Sequence, residues 1–402
     1  MRIDLNPDRL IPELARYQRL LLIGGGAGAA VSLVGLLLDR RQFFQSYLMT
    51  FMLLLGVTLG SLALGMIHQL SGGAWGVVTR RIFGAASRVL PVLTLLYVPL
   101  LFGLHDLYEW THHEVVEADP ILSGKAPYLN IPFFLLRTAL YFAVWNAIAY
   151  FLNRWSLEQD RSPDPRIANR MQMLSGGGLV AYGLTITFAS FDWVMSLDPH
   201  WFSTIYGVLF IGGQGLTALA FLVIALAWLS RREPLNTIVV PSHFHDLGNL
   251  MLAFVMLWAY FSFSQYLIIY SGNLPEEITW YTRRLFTGWR LIGIALVLFH
   301  FAVPFLILLS RSVKRNPQLL VKVAIGVIVV RLIDLFWLIA PELHPDGFAV
   351  SWLDLLLPLS LGCVWLGCFI WQLRGRPLLP LHDPQFHETL GPIIEKTQER
   401  PI

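Results

Sequence analysis

Along this chain, apolar residues come in long unbroken runs separated by short polar connections. About ten such runs can be marked, with approximate limits 20–38, 43–70, 83–104, 131–153, 173–196, 203–229, 247–270, 289–310, 321–340 and 351–373. Each is long enough for a helix to cross a bilayer, which takes about 20 residues. A helix in lipid satisfies its own backbone hydrogen bonds, whereas a barrel would show short alternating segments that are absent here. The pattern therefore predicts an all-α integral membrane protein of about ten transmembrane helices. It divides the chain into an N-terminal segment 1–19, a membrane domain 20–373 and a polar, Pro-rich tail 374–402. No internal repeat is evident, and two four-helix bundles with flanking helices are the expected packing.

Punctuation inside the runs adds detail. Pro91, Pro99, Pro304 and Pro358 are expected to kink their helices. Glycines cluster at Gly24, Gly25, Gly26 and Gly28, at Gly176, Gly177 and Gly178, and at Gly212, Gly213 and Gly215. A dinucleotide fingerprint would need a preceding strand and a later acidic residue. Neither is present, so these glycines read as points where helices approach closely.

Composition agrees with the membrane reading: 55% hydrophobic and 14% charged, against roughly 25% charged in soluble domains. A net charge of +3, with no basic stretch interleaved with aromatics, excludes a nucleic-acid partner. The two cysteines, Cys363 and Cys368, lie in one apolar run, without a CxxC pair or CxxCH motif. No iron–sulfur cluster, covalent haem or disulfide is expected in this chain. Residues 1–19 carry both signs of charge, and the following run lacks a small-residue cleavage site. It reads as a retained first span rather than a secretory signal.

Charge also predicts orientation. One set of connections carries Arg80, Arg81, Arg88, Arg154, Arg161, Arg166, Arg170, Arg231, Arg232, Arg311, Lys314 and Arg315, with Arg9, Arg16, Arg19, Arg374 and Arg376 at the ends. The other set is acidic: Asp106, Glu109, Glu114, Glu117, Asp119, Glu276, Glu277, Glu342 and Asp346, against Arg40, Arg41, Lys125, Arg283 and Arg284. The positive-inside rule then places both termini in the cytoplasm and the segments 105–130, 196–202, 271–288 and 341–350 outside.

The chemistry-bearing candidates fall at three depths. Toward the outer end, SFDWVMSLDPHWFSTIYG (190–207) holds Asp192, Trp193, Asp198, His200, Trp201 and Tyr206. Asp198-Pro199 reads as a helix N-cap followed by proline at the first helical position. Asp192 has two readings: a structural ion pair with Arg137 at similar depth, or, with His200, the outer mouth of a proton path or a quinol-side base. In the membrane middle, His300 in LVLFHFAVP reads as a hydrogen-bonded core residue, a proton relay or a haem ligand, for which His68 is the next histidine. Arg331 and Asp334 share one helix face, either neutralising each other or working as intramembrane groups. At the inner end, PSHFHDLGN (241–249) offers Ser242 as a cap. His243, His245 and Asp246 there read as a solvated helix start or a proton entrance, with Asn249, Ser262, Ser264 and Gln265 continuing polar character up the span. His243 and His245 point to different faces, which argues against an H-x-H metal site. The outer loop carries Glu109, His112 and His113, a weak metal set, and reads better as a docking surface for a partner. No nucleophile with a base, phosphate loop or zinc-protease motif is present.

The motif 190–207, followed by VLFIGGQ (208–214), resembles the second large membrane subunit (ActF-type) of bacterial alternative complex III. That subunit is similar to the NrfD and polysulfide-reductase membrane subunits. Over 20–373 the resemblance is mainly one of topology. It implies a ten-helix subunit of a quinol-oxidising complex in the bacterial cytoplasmic membrane. The implied partners are a homologous NrfD-like membrane subunit, an iron–sulfur subunit, multihaem and monohaem cytochrome c subunits and small membrane subunits. Haem c and iron–sulfur clusters would reside in those partners, and menaquinol or another quinol would belong to the complex. The family's quinol site is placed in the sister subunit, so a proton-conducting or scaffolding role is expected here, without a redox centre of the chain's own. The path candidates are Asp192, His200, His243, His245, Asp246, His300, Arg331 and Asp334, with Asp192, His200 and Arg137 the quinol-side set. The rival readings are direct quinol binding, a stand-alone secondary transporter and a purely structural anchor.

Overall fold

The computed structural model describes residues 11–162, 164–233, 235–345, 347–374, 376–380 and 386, with backbone alone at 11 and 12. Residues 1–10 of the expected N-terminal segment, Asp346 and most of the tail 374–402 lie outside the described residues. Ten helices are long and apolar enough to cross a membrane. They are α1 Glu13–Leu38, α2 Arg40–Ser71, α3 Ala74–Leu101, α4 Ile131–Arg161, α5 Pro165–Leu197, α6 Tyr206–Leu229, α7 Pro241–Gly272, α8 Arg290–Leu309, α9 Pro317–Leu343 and α10 Leu353–Arg374. The ten expected spans are all present, and no strand occurs among the described residues.

Helix starts follow from local chemistry. Asp39, Asn130, Asp164 and Asn316 each accept a backbone N–H from the first turn of the helix that follows. Such caps contribute about 1 kcal/mol each. Proline opens α5, α7 and α9, where its missing N–H leaves no intrahelical bond unmade. Ser242 is not the cap of α7; that helix begins at Pro241 with Val240 before it. Pro91 sits in the first turn after a break at 88–89 that divides α3. Before Pro304, residues Val297–Ala302 of α8 form a π turn. Proline offers no N–H to the carbonyl of His300 and crowds it, and the ladder opens there by one residue.

The helices pack as two closed four-helix bundles. In the first, α2 packs on α3 and α5, and α4 closes the ring between them. In the second, α6 packs on α7 and α9, and α8 closes it. The bundles meet along α2 and α6, which are almost wholly buried. The flanking helices α1 and α10 pack on each other and on α2. Gly60 of α2 lies directly on the backbone carbonyl of Gln214 in α6, so the central contact is backbone on side-chain-free backbone. Of the clustered glycines, Gly25 and Gly28 admit Ser360, Gly178 admits Met66, Gly213 admits Arg331 and Gly215 admits Phe254. Gly24, Gly26, Gly176 and Gly177 meet nothing within 4 Å.

The polar connections sort onto two ends. At one end Arg40 bonds Asp106, His200 bonds Asp119, Lys125 bonds the Pro199 carbonyl, and Trp289 bonds the His344 carbonyl. At the other, Arg232 bonds Glu13, Arg88 bonds Gln372 and Asn153, Lys314 bonds Asn249, and Arg374 bonds Gln18. The acidic and basic sets of connections are thus the two faces of the molecule. The start of the tail returns to the basic face, where Arg376 reaches the Asn153 carbonyl and Leu379 is buried.

Candidate functional site: a clasp, two ion pairs and a membrane-depth cavity

The motif 190–207 leaves α5, crosses the acidic face and enters α6, so it ties one bundle to the other. On the first-bundle side, Trp193 is fully buried among Tyr97, Phe142 and Trp145. Its indole donates to Thr138 at 3.2 Å and its carbonyl accepts from Tyr108 at 2.8 Å. On the second-bundle side, Trp201 stacks on Trp280 with centroids 5.0 Å apart and donates to the Glu277 carbonyl. Asp198 does not cap a helix. It accepts the N–H of His200, faces Arg283 at 3.5 Å, and α6 begins only at Tyr206. The same Asp-Pro signature that opens a helix also makes a tight turn when the chain must change direction.

Asp192 is fully buried and its oxygens are taken. Arg137 donates to both, at 2.8 and 2.9 Å, and Tyr141 donates a third bond at 2.7 Å. The guanidinium also bonds the Tyr128 carbonyl and lies 3.9 Å over that ring. A bidentate pair with its remaining valences filled is the arrangement in which a buried charge persists. His200 instead bonds Asp119 at 2.5 Å on the exposed face, so the structure does not join Asp192 to His200.

That exposed contact has a pH consequence. The hydrogen bond from His200, helped by the N–H groups of Ile121 and Leu122, holds the Asp119 carboxyl below the usual carboxylate range. A depressed carboxylate stabilises above its ordinary value and stops doing so as pH falls through its lowered one. Hydrogen-exchange protection over 113–125 should therefore hold from neutral pH to about pH 5 and fall below about pH 4. In Asp119→Asn it should be weak throughout. Protection unchanged down to pH 3 would remove this contact from the loop's order.

The second bundle carries polar groups at three depths. At the basic face, His243 is buried with Nδ1 accepting the Val240 N–H and Nε2 unpartnered. His245 lies 3.7 Å from Asp246 and bonds Asn249, which accepts from Lys314 at 2.7 Å. In the middle, Arg331 pairs with Asp334, and Trp258 donates to the same carboxylate at 3.1 Å. Gly213 makes this possible: a Cβ there would fall on the guanidinium. His300 is fully buried, with its ring 4.2 Å from Trp258 and both ring nitrogens without a partner. The expectation of a hydrogen-bonded core histidine is thus not met. His68 offers no matched haem partner either, since it belongs to the first bundle and bonds the Gly73 carbonyl.

The acidic end of this bundle holds a cluster that the sequence shows only as connection charge. Fully buried Arg284 donates to Glu342 at 2.7 Å and to the carbonyls of Trp337 and Leu338, with its guanidinium 3.5 Å over Trp280. Arg283 pairs with the same Glu342 and so links it to Asp198 of the clasp. Along α9, Glu342 lies eight residues beyond Asp334, or about 12 Å. A second unread network joins Asp354, Ser46, Gln42 and His344 between α10 and α2.

Between α7, α8, α9 and the helix Pro275–Leu285 lies a cavity of about 810 Å³. Arg331, Asp334, Trp258, Gln265 and Trp337 are on its wall, and Met256, Tyr260 and Leu298 stand exposed at its lipid side. In the 105–130 connection, His112 bonds the His105 carbonyl and His113 faces Glu117. Among the described residues no three His, Cys, Asp or Glu side chains converge as a metal set. No protein-family model and no curated protein sequence matches this chain.

Proposed function

We propose that this chain is a membrane subunit of a quinol:acceptor oxidoreductase of the alternative complex III type, and that its second bundle passes protons. The observation that carries the proton reading is His300. An imidazole with both nitrogens free beside a buried Arg–Asp pair can take a proton at one nitrogen and release it from the other. Neutralised ionisable groups at mid-membrane are expensive to keep and are ordinarily retained for transport. Polar groups on either side supply an entrance at His243, His245 and Asp246 and an exit at Glu342 of the same bundle, with Asp198 of the adjoining clasp beside it. Asp192, with its oxygens filled, serves as structure for the first bundle. His200 belongs to the surface of the acidic face.

The resemblance of 190–214 to the ActF-type subunit supports the assembly reading. The basic face then lies in the bacterial cytoplasm and the acidic face outside. Iron–sulfur and cytochrome c partners carry the electrons, docking on the acidic face around 105–130. Purification of the tagged chain in mild detergent tests this. It should bring down c-type haem absorbance and an iron–sulfur protein in fixed ratio. A chain that always isolates alone would point instead to a stand-alone transporter.

A further inference from the structure

The cavity of the second bundle opens between α7 and α8, where Met256, Tyr260 and Leu298 stand exposed. Its wall on α8 runs from Arg290 to Phe305, a helical rise of about 22 Å. That is one leaflet of hydrocarbon, about 15 Å, with the glycerol level above it. Most of the polar groups on the wall are engaged: Arg331 with Asp334, and Gln265 with the Tyr281 hydroxyl. Two donors are not. Arg290, at the acidic-face end of α8, is exposed, and its guanidinium forms no hydrogen bond or ion pair among the described residues. Arg283 and Arg284, by contrast, are held by Glu342. One turn below Arg290, a Cβ on Gly293 would lie 3.6 Å from Trp337 Nε1, an indole N–H buried without an acceptor. Guanidinium and indole donate only, so each calls for an acceptor.

We propose that this cavity seats one phospholipid from the leaflet on the acidic face, its phosphate on Arg290 and an acyl chain in the groove between α7 and α8. The phosphate oxygens accept from the guanidinium, whose fork matches them. The glycerol ester carbonyls, a few bonds from the phosphate, come to the level of Trp337 Nε1. The acyl chain then runs along α8 toward Phe305 and covers the Arg331–Asp334 pair on its lipid side. Lipid instead of protein completes the wall of the bundle there. A free phosphate would match the charge at the rim but leave the apolar wall bare, and a fatty chain without phosphate would leave Arg290 unmatched. The site needs only the membrane-spanning fold, and it stands whether or not the chain joins a redox assembly or passes protons.

The test is photolabelling of the full chain in nanodiscs, with any subunits that accompany it. One probe is a phosphatidylglycerol with a diazirine midway along one acyl chain, and the other is the diacylglycerol of the same chains. The phospholipid should label α7 and α8 within 256–305. The diacylglycerol should label about fivefold less, for the loss of one charge contact at the membrane surface. Arg290→Gln should bring the phospholipid down to the diacylglycerol level, and Arg290→Lys, which keeps the charge without the fork, should retain most of the label. Arg290 is exposed, so both variants should fold. Equal labelling by the two probes, labelling unchanged in Arg290→Gln, or label spread evenly over the exposed sides of α1, α4 and α5 means ordinary boundary lipid and overturns the proposal. So does a cavity that takes no label because a quinone or a partner's helix holds it.

Discussion

Asp192→Ala and Arg137→Ala are each expected to eliminate most of the folded protein, whereas Arg137→Met with Asp192→Leu should restore it in part. Either single change strands the other charge in a largely buried site, Asp192 fully so and Arg137 nearly so, beside Trp193 and Tyr141. Breaking such a pair from one side costs about 3–5 kcal/mol, while replacing both members by apolar residues is often near neutral. That loss is a large fraction of a typical total stability of about 5–15 kcal/mol. Thermal unfolding in detergent, read by monodisperse yield, measures it. A well-folded Asp192→Ala with selectively lost turnover would move Asp192 from structure to the reaction path.

A second large effect is expected at the centre of the molecule. Gly60→Ala places a methyl group on the carbonyl of Gln214, where backbone rather than a flexible side chain would have to move. Overpacking of this kind costs about 1–3 kcal/mol and sometimes more. Here it acts on the contact that holds the two bundles together. Gly24→Ala, Gly26→Ala and Gly176→Ala meet no neighbour within 4 Å. They should be neutral or gain up to about 1 kcal/mol from the lower entropy of the unfolded helix. Melting temperatures of the four variants give the comparison. A tolerated Gly60→Ala would show that α2 and α6 can separate freely.

Much of the fold is legible in the residues because the bilayer leaves few choices. Long apolar runs have to be helices, and their caps at Asp39, Asn130, Asp164 and Asn316 stand where the polar connections end. The pairing of Asp192 with Arg137 was also readable, since both lie at one depth. What escapes the sequence is what several helices build together. Gly60 belongs to no glycine cluster, yet lies directly on the Gln214 carbonyl of α6; Gly24 and Gly26 belong to one and meet nothing within 4 Å. Arg284 and Glu342 look like connection charges until α9 and the helix Pro275–Leu285 are side by side. Asp198-Pro199 misleads because a helix start and a reversing turn use the same local hydrogen bonds. The cavity draws its wall from four elements, and no local pattern announces it. The distinctive motif 190–207 serves chiefly to clasp the bundles, and the free histidine that carries the proton reading lies about a hundred residues further on.

The proton path proposed for the second bundle, in the complex proposed to contain it, meets its most direct test in the ratio of protons released to electrons transferred in liposomes. With His300→Leu, and separately with Asp334→Asn, that ratio should fall while electron transfer to the acceptor continues and subunit content stays normal. A ratio unchanged in both variants, in fully assembled complex, would contradict the path and leave the buried groups of α7, α8 and α9 a structural role alone.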